Sequence, residues 1–441
     1  METTQKERKA KSNNLRIYRT LNIKSKLFLN IYFAVLLFKI VFAKESKTIL
    51  RKLDFDSRIN IKIKGVGNQP ILNKKFRYKP YKIYVNGILY TMNNSNIIYY
   101  LANNENNITL LFNETLMDCN MMFYNLTSII QISFLNFNSS KITEMISTFE
   151  GCNSLISVDF GDIDTSLVTN MRNMFSHCSK LISLDLSIFN TSSVKDMSCM
   201  FCNCYNLISL NSSNFNTLLV TNMESMFYSC FNLLSLDMSH FDTSLVTNMA
   251  YMFSGCRELI SLDLSNFNTS FVIDMSHLFS KCFQLRFLDI THFRTSNVKN
   301  MDFMFGECYS LKSLNLDAFD TRNVNYMRRM FYGCSSLISL NLNNFNTSHV
   351  IDMAYMFYGC SSLISLNLNN FNTSQVIGMA YMFYGCGSLI SLNLDGFNTS
   401  RVSNMGFMFY GCRSLKSLNL SSFKTSNVLD MDFIFYCPQI R

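Results

Sequence analysis

The stretch MFYGCSSLISLNLNNFNTSHVIDMAY, from Met330 to Tyr355, is followed at once by MFYGCSSLISLNLNNFNTSQVIGMAY, from Met356 to Tyr381. The two stretches differ only at His349, replaced by Gln375, and at Asp352, replaced by Gly378. Repetition at a fixed period of this length is typical of proteins built from stacked structural units. The sequence therefore predicts a solenoid, and its organisation can be analysed one repeat position at a time.

Three residue types recur at intervals of 26 residues through most of the chain. Phe recurs from Phe123 to Phe435, Met from Met145 to Met431 and Cys from Cys152 to Cys412, each without a miss. Stacking places equivalent positions above one another, so each set should form a column in a continuous core. The expected structural columns are represented by Cys334, Cys360, Cys386, Phe331, Phe357, Met353 and Met379.

Each unit divides into a strand, a turn and a second apolar segment. Leu340 and Leu342 share one face at a period of two, which predicts a short strand. Val350, Met353 and Phe357 follow the spacing of one side of a helix, with Thr347 or Ser348 as its N-cap. The predicted fold class is α/β: a leucine-rich-repeat solenoid with one short strand and one short helix per unit, and a small β-rich N-terminal cap.

The fuller pattern MFxGCxSLxSLxLxxFxTSxVxxM resembles the BspA-type leucine-rich repeats of surface proteins. It extends over about 310 residues, and the Met-Phe pair, the Cys before the strand and the Thr-Ser after the second Phe carry the resemblance. The resemblance implies a secreted or cell-surface protein that binds other proteins or mediates adhesion. It implies no defined active site.

The domain organisation follows from where the period begins and ends. We predict twelve leucine-rich-type repeats over 122–433 and a truncated terminal repeat over 434–441. Residues 44–121 do not follow the 26-residue period, and we predict that they form a β-rich cap with a half-repeat. The cap should include a strand in INIKIK (Ile59–Lys64) and a hairpin at Asn86-Gly87.

Residues 1–43 have the composition of a targeting segment. A basic, polar stretch precedes LFLNIYFAVLLFKIVFA (Leu27–Ala43), and small residues before Lys44 suit cleavage. Residues 1–90 hold 21 of the 39 Lys and Arg but only 5 of the 30 Asp and Glu, so the net charge of +9 comes from this region. We predict a cleaved signal peptide or, as the alternative, a signal anchor with its basic end in the cytoplasm.

The cysteine column has two interpretations. Neighbouring units would bring its thiols within disulfide range, and exported chains commonly form disulfides. The alternative, which we favour, is a buried column of free thiols packed as small apolar groups. Cys199 and Cys202 form a C-x-x-C with no partner motif, so we expect no metal site.

The strand should present a polar face to solvent. An Asp or Asn recurs at the position of Asn341, and alternation points it away from the core. Arg286 and Phe287 interrupt this polar face, and such residues favour interfaces. The predicted interaction surface consists of Asp159, Asp185, Asp237, Asp263, Asp289, Arg286 and Phe287. A solvated face with side chains bonded to each other is the competing interpretation.

The turn after the second Phe also requires a particular side chain. Asp164, Asp242 and Asp320 stand where other units have Asn, so the turn needs an Asn or Asp to bond its own backbone. We expect no enzyme, because the five His belong to no recognisable catalytic arrangement and no phosphate-binding or zinc-protease motif is present.

The predicted function is protein–protein interaction or adhesion outside the cell or at its surface. The expected partners are extracellular or cell-surface proteins, with no cofactor, no nucleic acid and no membrane contact beyond the N-terminal anchor. The alternative is a structural coat or matrix protein that self-associates through its solenoid ends.

Overall fold

The structure, a computed structural model, describes residues 57–90 and 98–435, all within the compact unit Ser57–Arg441. The targeting segment predicted over 1–43 and the start of the predicted cap lie outside these residues. The strands are β1 (Ser57–Lys64), β2 (Gly67–Pro70), β3 (Lys82–Val85), β4 (Ile88–Tyr90), β5 (Ile98–Leu101), β6 (Glu105–Phe112), β7 (Ile129–Leu135), β8 (Ser157–Asp159), β9 (Ser183–Asp185), β10 (Ser209–Asn211), β11 (Ser261–Leu262), β12 (Phe287–Leu288), β13 (Ser339–Leu340), β14 (Ser365–Leu366) and β15 (Ser391–Leu392).

The N-terminal part is a mostly antiparallel sheet that runs into the solenoid. Its strand order is β4-β3-β6-β1-β7-β8, and only the β7–β8 pair is parallel. The hairpin expected at Asn86-Gly87 forms between β3 and β4, with φ of 50° and 82° at its two central residues. Two positive φ values are the requirement of a tight type I′ turn. The half-repeat of the predicted cap would cover residues 108–121, with Ile108 at the strand position of Leu342, but Ile108 pairs antiparallel with β1 instead.

From Asp118 onward the chain stacks in parallel units of constant length. Twelve isolated parallel bridges, each 26 residues apart, run from Asp118↔Glu144 to Asn404↔Asp430. Short parallel strands add a second line of contact, as in the β13-β14-β15 sheet. The solenoid prediction is therefore confirmed.

The short helix predicted in each unit is wrong. The described residues contain no helix. In the segment where one was expected, the N–H groups of Met353, Tyr355, Phe357 and Gly359 donate to carbonyls of the next unit at 2.7–3.0 Å. An α-helix would direct these donors four residues back along the same chain.

Backbone conformation explains why the segment cannot become helical. Tyr355 and Gly359 have φ of 61° and 69°, and equivalent residues are left-handed in most other units. A left-handed residue in each turn interrupts a right-handed helix. Thr347, predicted as a helix cap, donates its hydroxyl to the carbonyl of Asn372 in the next unit instead, at 3.0 Å.

The core consists of columns that continue from unit to unit. The first Phe column is fully buried from Phe123 to Phe409, and its rings stack at 5.6 Å with an interplanar angle of 6° between Phe331 and Phe357. Phe345 and Phe371 belong to a second, looser Phe column, with ring centroids 6.5 Å apart. Burying one such side chain contributes about 1.5–3 kcal/mol, so the columns supply the cohesion that a single unit lacks.

Candidate interaction surface

The residues predicted to form structural columns lie in the interior. Cys334, Cys360, Cys386, Phe331, Phe357, Met353 and Met379 all have no accessible surface. The described cysteines are free thiols. Each thiol of the Cys column points to the carbonyl of a Phe 29 residues earlier, as in the 3.2 Å contact of Cys360 Sγ with Phe331 O.

Burial makes the thiols of the Cys column unreactive. It raises the pKa of Cys334 and of Cys386 to about 12, and that of Cys360 well above its usual range. A thiol that stays protonated is a poor nucleophile and a poor metal ligand. These cysteines therefore act as packing groups with one weak hydrogen bond each.

The two cysteines of the C-x-x-C, Cys199 and Cys202, lie outside the Cys column. Cys199 is partly exposed and has φ of 55°, whereas Cys204 belongs to the buried column. A hydrogen bond with Cys202 lowers the pKa of the Cys199 thiol. Among the described residues, no group of three or more His, Cys, Asp or Glu side chains is arranged to hold a metal ion.

The five Asp predicted as an interaction surface lie exposed at one repeat position, on what we call the strand face: two of them end β8 and β9, two directly follow β11 and β12, and one lies in a unit without a strand. Asp159, Asp185, Asp237, Asp263 and Asp289 are spread over six units, so the solenoid arranges them in one line rather than in a cluster. Each accepts a hydrogen bond from the backbone N–H two residues later, at 3.0–3.2 Å. The carboxylates thus shape their own turns and still face solvent.

Hydrogen bonding keeps several of these carboxylates ionised. The backbone N–H groups of Ser239 and Ser265 lower the pKa of Asp237 and Asp263, and the Thr291 hydroxyl lowers that of Asp289. A hydrogen bond to the charged form favours that form. This half of the strand face therefore carries negative charge at neutral pH.

Arg286 and Phe287 lie where the line of aspartates ends. Phe287 is 74% exposed, and β12 pairs with β11 so that Phe287 is adjacent to Ser261. Arg286 is also exposed, and its N–H bonds to the Ile260 carbonyl at 2.9 Å. The structure thus brings both residues to the strand face with the aspartates.

An apolar column lies on the same face, and none of the sequence patterns above predicted it. One repeat position is occupied by Ile or Leu in most units and by Arg286, Lys312 and Lys416 in the other three. Six of its isoleucines are 40–48% exposed: Ile156, Ile182, Ile260, Ile338, Ile364 and Ile390. We call this set the isoleucine column. Comparing units at this position would have revealed it, because the same residue type recurs there.

The expectation about the turn after the second Phe is confirmed. Asp164, Asp242 and Asn346 each accept the backbone N–H two residues later, at 2.8–3.0 Å. This is an Asx turn, which either side chain can form. The turn chemistry explains the column without any ligand.

The fold and its columns define a repeat protein of parallel stacked units. Four overlapping segments, residues 117–234, 204–313, 260–365 and 335–439, match the model described as "Mycoplasma protein of unknown function, DUF285". These segments cover the whole solenoid and most of the chain, so the protein belongs to this family. The finer resemblance to BspA-type repeats stays a prediction.

Two solved structures are similar to the chain at low identity. "Crystal structure of TLR13-ssRNA13 complex" is 19% identical over 67% of this chain and 42% of that one, with a TM-score of 0.20. The Drosophila "Structure of the Toll - Spatzle complex" is 17% identical over 69% and 45%, with a TM-score of 0.23. The chain spans less than half the length of either, and no curated protein matches it.

Proposed function

We propose that the protein binds other proteins through its strand face, as a secreted or surface-displayed module. The observation that carries the proposal is the isoleucine column, an apolar stripe left exposed on a repetitive and otherwise polar surface. Contiguous exposed apolar surface bordered by polar groups is typical of protein-binding sites. A purely structural face would need no such residues.

The charge pattern beside the column specifies the kind of partner. Asp237, Asp263 and Asp289 hold negative charge next to Ile260, so a partner with an apolar patch and basic residues fits this half. The same charge argues against a nucleic-acid partner on this face, because phosphates would be repelled. Many shallow contacts along a stacked scaffold would supply the affinity.

Binding is tested with two matched triple variants of the full chain. Ile338→Lys, Ile364→Lys and Ile390→Lys introduce the residue that Lys312 and Lys416 supply at the same repeat position, so the units should still stack. Leu219→Asn, Leu245→Asn and Phe271→Asn remove equally exposed apolar side chains from another repeat position, where Asn297 and Asn323 occur naturally.

Cross-linking to surface proteins of cells, followed by mass spectrometry, gives the readout. The amount of a specific partner captured should fall at least tenfold with the Lys variant and stay unchanged with the Asn variant. Equal loss in both variants, or retention in the Lys variant, would contradict the proposal.

The location outside the cell rests on the segment before the described residues. A basic stretch followed by an apolar one is the composition of an export signal. Mass analysis of the native N-terminus should find a chain beginning at Lys44 if the segment is cleaved. Among the described residues there is no helix of the length and apolarity that crossing a bilayer would need. The proposal includes no catalysis and no cofactor.

A second candidate, self-association as a coat or matrix, has one observation in its favour. The last described unit exposes Leu429, Phe433 and Phe435 at 91%, 64% and 45%. The equivalents of Phe435 in the two preceding units, Phe409 and Phe383, are fully buried. Sedimentation at rising protein concentration should reveal end-to-end oligomers if this candidate holds, and a constant monomer mass would remove it.

A further inference from the structure

A column of stacked tyrosines runs along a side of the solenoid other than the strand face. Tyr332, Tyr358, Tyr384 and Tyr410 occupy one repeat position, with ring centroids 4.6, 4.6 and 5.0 Å apart. The interplanar angles are 4–9°, so each ring covers the face of its neighbour. We call this set the tyrosine column.

The tyrosine column has a gap three units long. Ser254, Ser280 and Gly306 occupy its position between Tyr228 and Tyr332. Four repeat steps separate these two tyrosines, which corresponds to about 19 Å at the spacing of parallel strands. A Cβ at Gly306 would lie 2.6 Å from the Phe303 ring, so a larger residue there would require that ring to move.

A groove of about 870 Å³ with aromatic walls runs along this part of the solenoid, and the gap residues Ser254 and Ser280 are buried at its base. Tyr251 and His277, which stack at 4.2 Å, belong to its lining. Arg257, which lies over the Phe231 ring at 3.9 Å, also lines it. The groove extends past the gap, to Asn203 in one direction and to Tyr381 in the other.

The walls offer ring edges and hydroxyl groups rather than ring faces. Tyr251 and His277 lie face to face, and Arg257 covers the face of Phe231. The edge of an aromatic ring carries the positive part of its quadrupole. Oxygen atoms of a ligand therefore suit these walls better than apolar rings do.

Cations outnumber anions among the groove-lining residues. Arg257, Lys281 and Arg329 are positively charged, whereas Glu307 is the one carboxylate that lines the groove and already accepts the Tyr309 hydroxyl at 2.9 Å. Burial lowers the pKa of His277 to about 4, so this imidazole is neutral at physiological pH. The groove therefore favours a ligand with negative charge.

Two other classes of polymer fit the groove less well. The backbone N–H groups of Ser229, Gly255 and Lys281 bond to the next unit at 2.7 Å, which leaves no free edge for an extended peptide. Single-stranded nucleic acid needs open aromatic faces for base stacking, and Tyr251, His277 and Phe231 each have a face that is already covered. A chain recognised through hydroxyls and anionic groups has neither requirement.

We propose that this groove binds an acidic oligosaccharide, a sugar chain whose hydroxyls meet the tyrosine hydroxyls and whose carboxylate or sulfate groups meet Arg257 and Lys281. The site is separate from the strand face, so it adds a carbohydrate-binding activity to protein binding. Either activity can fail in experiment without affecting the other.

The test measures binding of the full chain to a size-defined, sulfated heparin-derived octasaccharide by calorimetry. The desulfated form, oligo-dT and a proline-rich peptide serve as alternative ligands. The double variant Arg257→Ser, Lys281→Asn should bind the octasaccharide at least tenfold more weakly. Both replacements occur in equivalent positions of other units, at Ser335 and at Asn203, which has the same left-handed φ as Lys281.

Two further variants separate groove binding from general charge attraction. Ser280→Tyr places a tyrosine at a gap position of the tyrosine column and should abolish binding by occupying the groove. Lys299→Thr removes one positive charge away from the groove, with Thr247 as its natural equivalent, and should leave binding within twofold. The proposal would be overturned if the octasaccharide did not bind, or if its desulfated form bound equally well. It would also be overturned if oligo-dT or the peptide bound more strongly, or if the double variant and Ser280→Tyr kept their affinity.

Discussion

Thr321 illustrates how one buried side chain connects two units. Its hydroxyl donates to the carbonyl of Asn346 and accepts the N–H of the same residue, both at 2.8 Å. The side chain has no accessible surface, and an equivalent Thr recurs through the solenoid. Each hydroxyl thus replaces a backbone partner that the turn cannot provide.

Replacing Thr321 with Val should destabilise the solenoid more than replacing it with Ser. Val keeps the volume but removes the hydroxyl that bonds both the N–H and the C=O of Asn346, at a cost of about 2–3 kcal/mol. Ser keeps both hydrogen bonds and loses only a methyl group, at about 1 kcal/mol. Urea titration followed by circular dichroism measures both, and a Ser variant as unstable as the Val variant would contradict this role.

Cysteine labelling should distinguish Cys199 from the buried column. Its lowered pKa increases the thiolate fraction at any given pH, so Cys199 should react with iodoacetamide at a lower pH than Cys334 or Cys360. Peptide-resolved mass spectrometry between pH 6 and pH 9 reports each site separately. Cys202→Ala removes the hydrogen bond and should slow labelling of Cys199 several-fold. Comparable labelling of the column in folded protein would show that it is not closed to reagent.

Within each unit, the two left-handed positions decide between a helix and the observed turns. The spacing of Val350, Met353 and Phe357 is common to both, so the apolar pattern alone could not separate them. Tyr355 gives no sequence signal for a positive φ, and the position of Gly359 accepts Asn203, Lys281 and Glu307 in other units. The strand, the Asx turn and the Phe columns could be predicted, because they follow from local chemistry and from the period.

Substitutions at Gly359 test this conformation directly. Its φ is 69°, and a Cβ there would meet the Gly333 Cα at 3.6 Å, which is ordinary contact. Gly359→Val should therefore cost about 1–3 kcal/mol through backbone strain rather than through a clash. Gly359→Asn should cost less, because Asn203 already adopts φ of 60° at this position. Thermal unfolding of both variants gives the comparison, and equal losses would point to packing instead.

The strand face shows why a single unit was not enough to predict the isoleucine column. Ile338 lies directly before β13, which comprises only two residues, so local periodicity gives no prediction for its side chain. The aspartates and Phe287 could be predicted because repeat positions were compared from unit to unit. Surfaces of repeat proteins are therefore better analysed by column than by local periodicity.

At the scale of the whole molecule, the 26-residue step should matter more than the number of units. Deleting residues 356–381 joins Tyr355 to Met382 and leaves every column continuous, because Phe383 then stacks on Phe331 as Phe357 did. Stability in a solenoid is a sum over units and their interfaces, so the shortened chain should fold with a modest loss of stability.

Deleting only residues 356–368 should prevent the downstream units from stacking, because their polar positions would face the Phe, Met and Cys columns. Circular dichroism and limited proteolysis separate the outcomes: the first variant should keep a protease-resistant solenoid, and the second should lose the part after the deletion. Similar behaviour of the two variants would mean that the columns do not determine how the units stack.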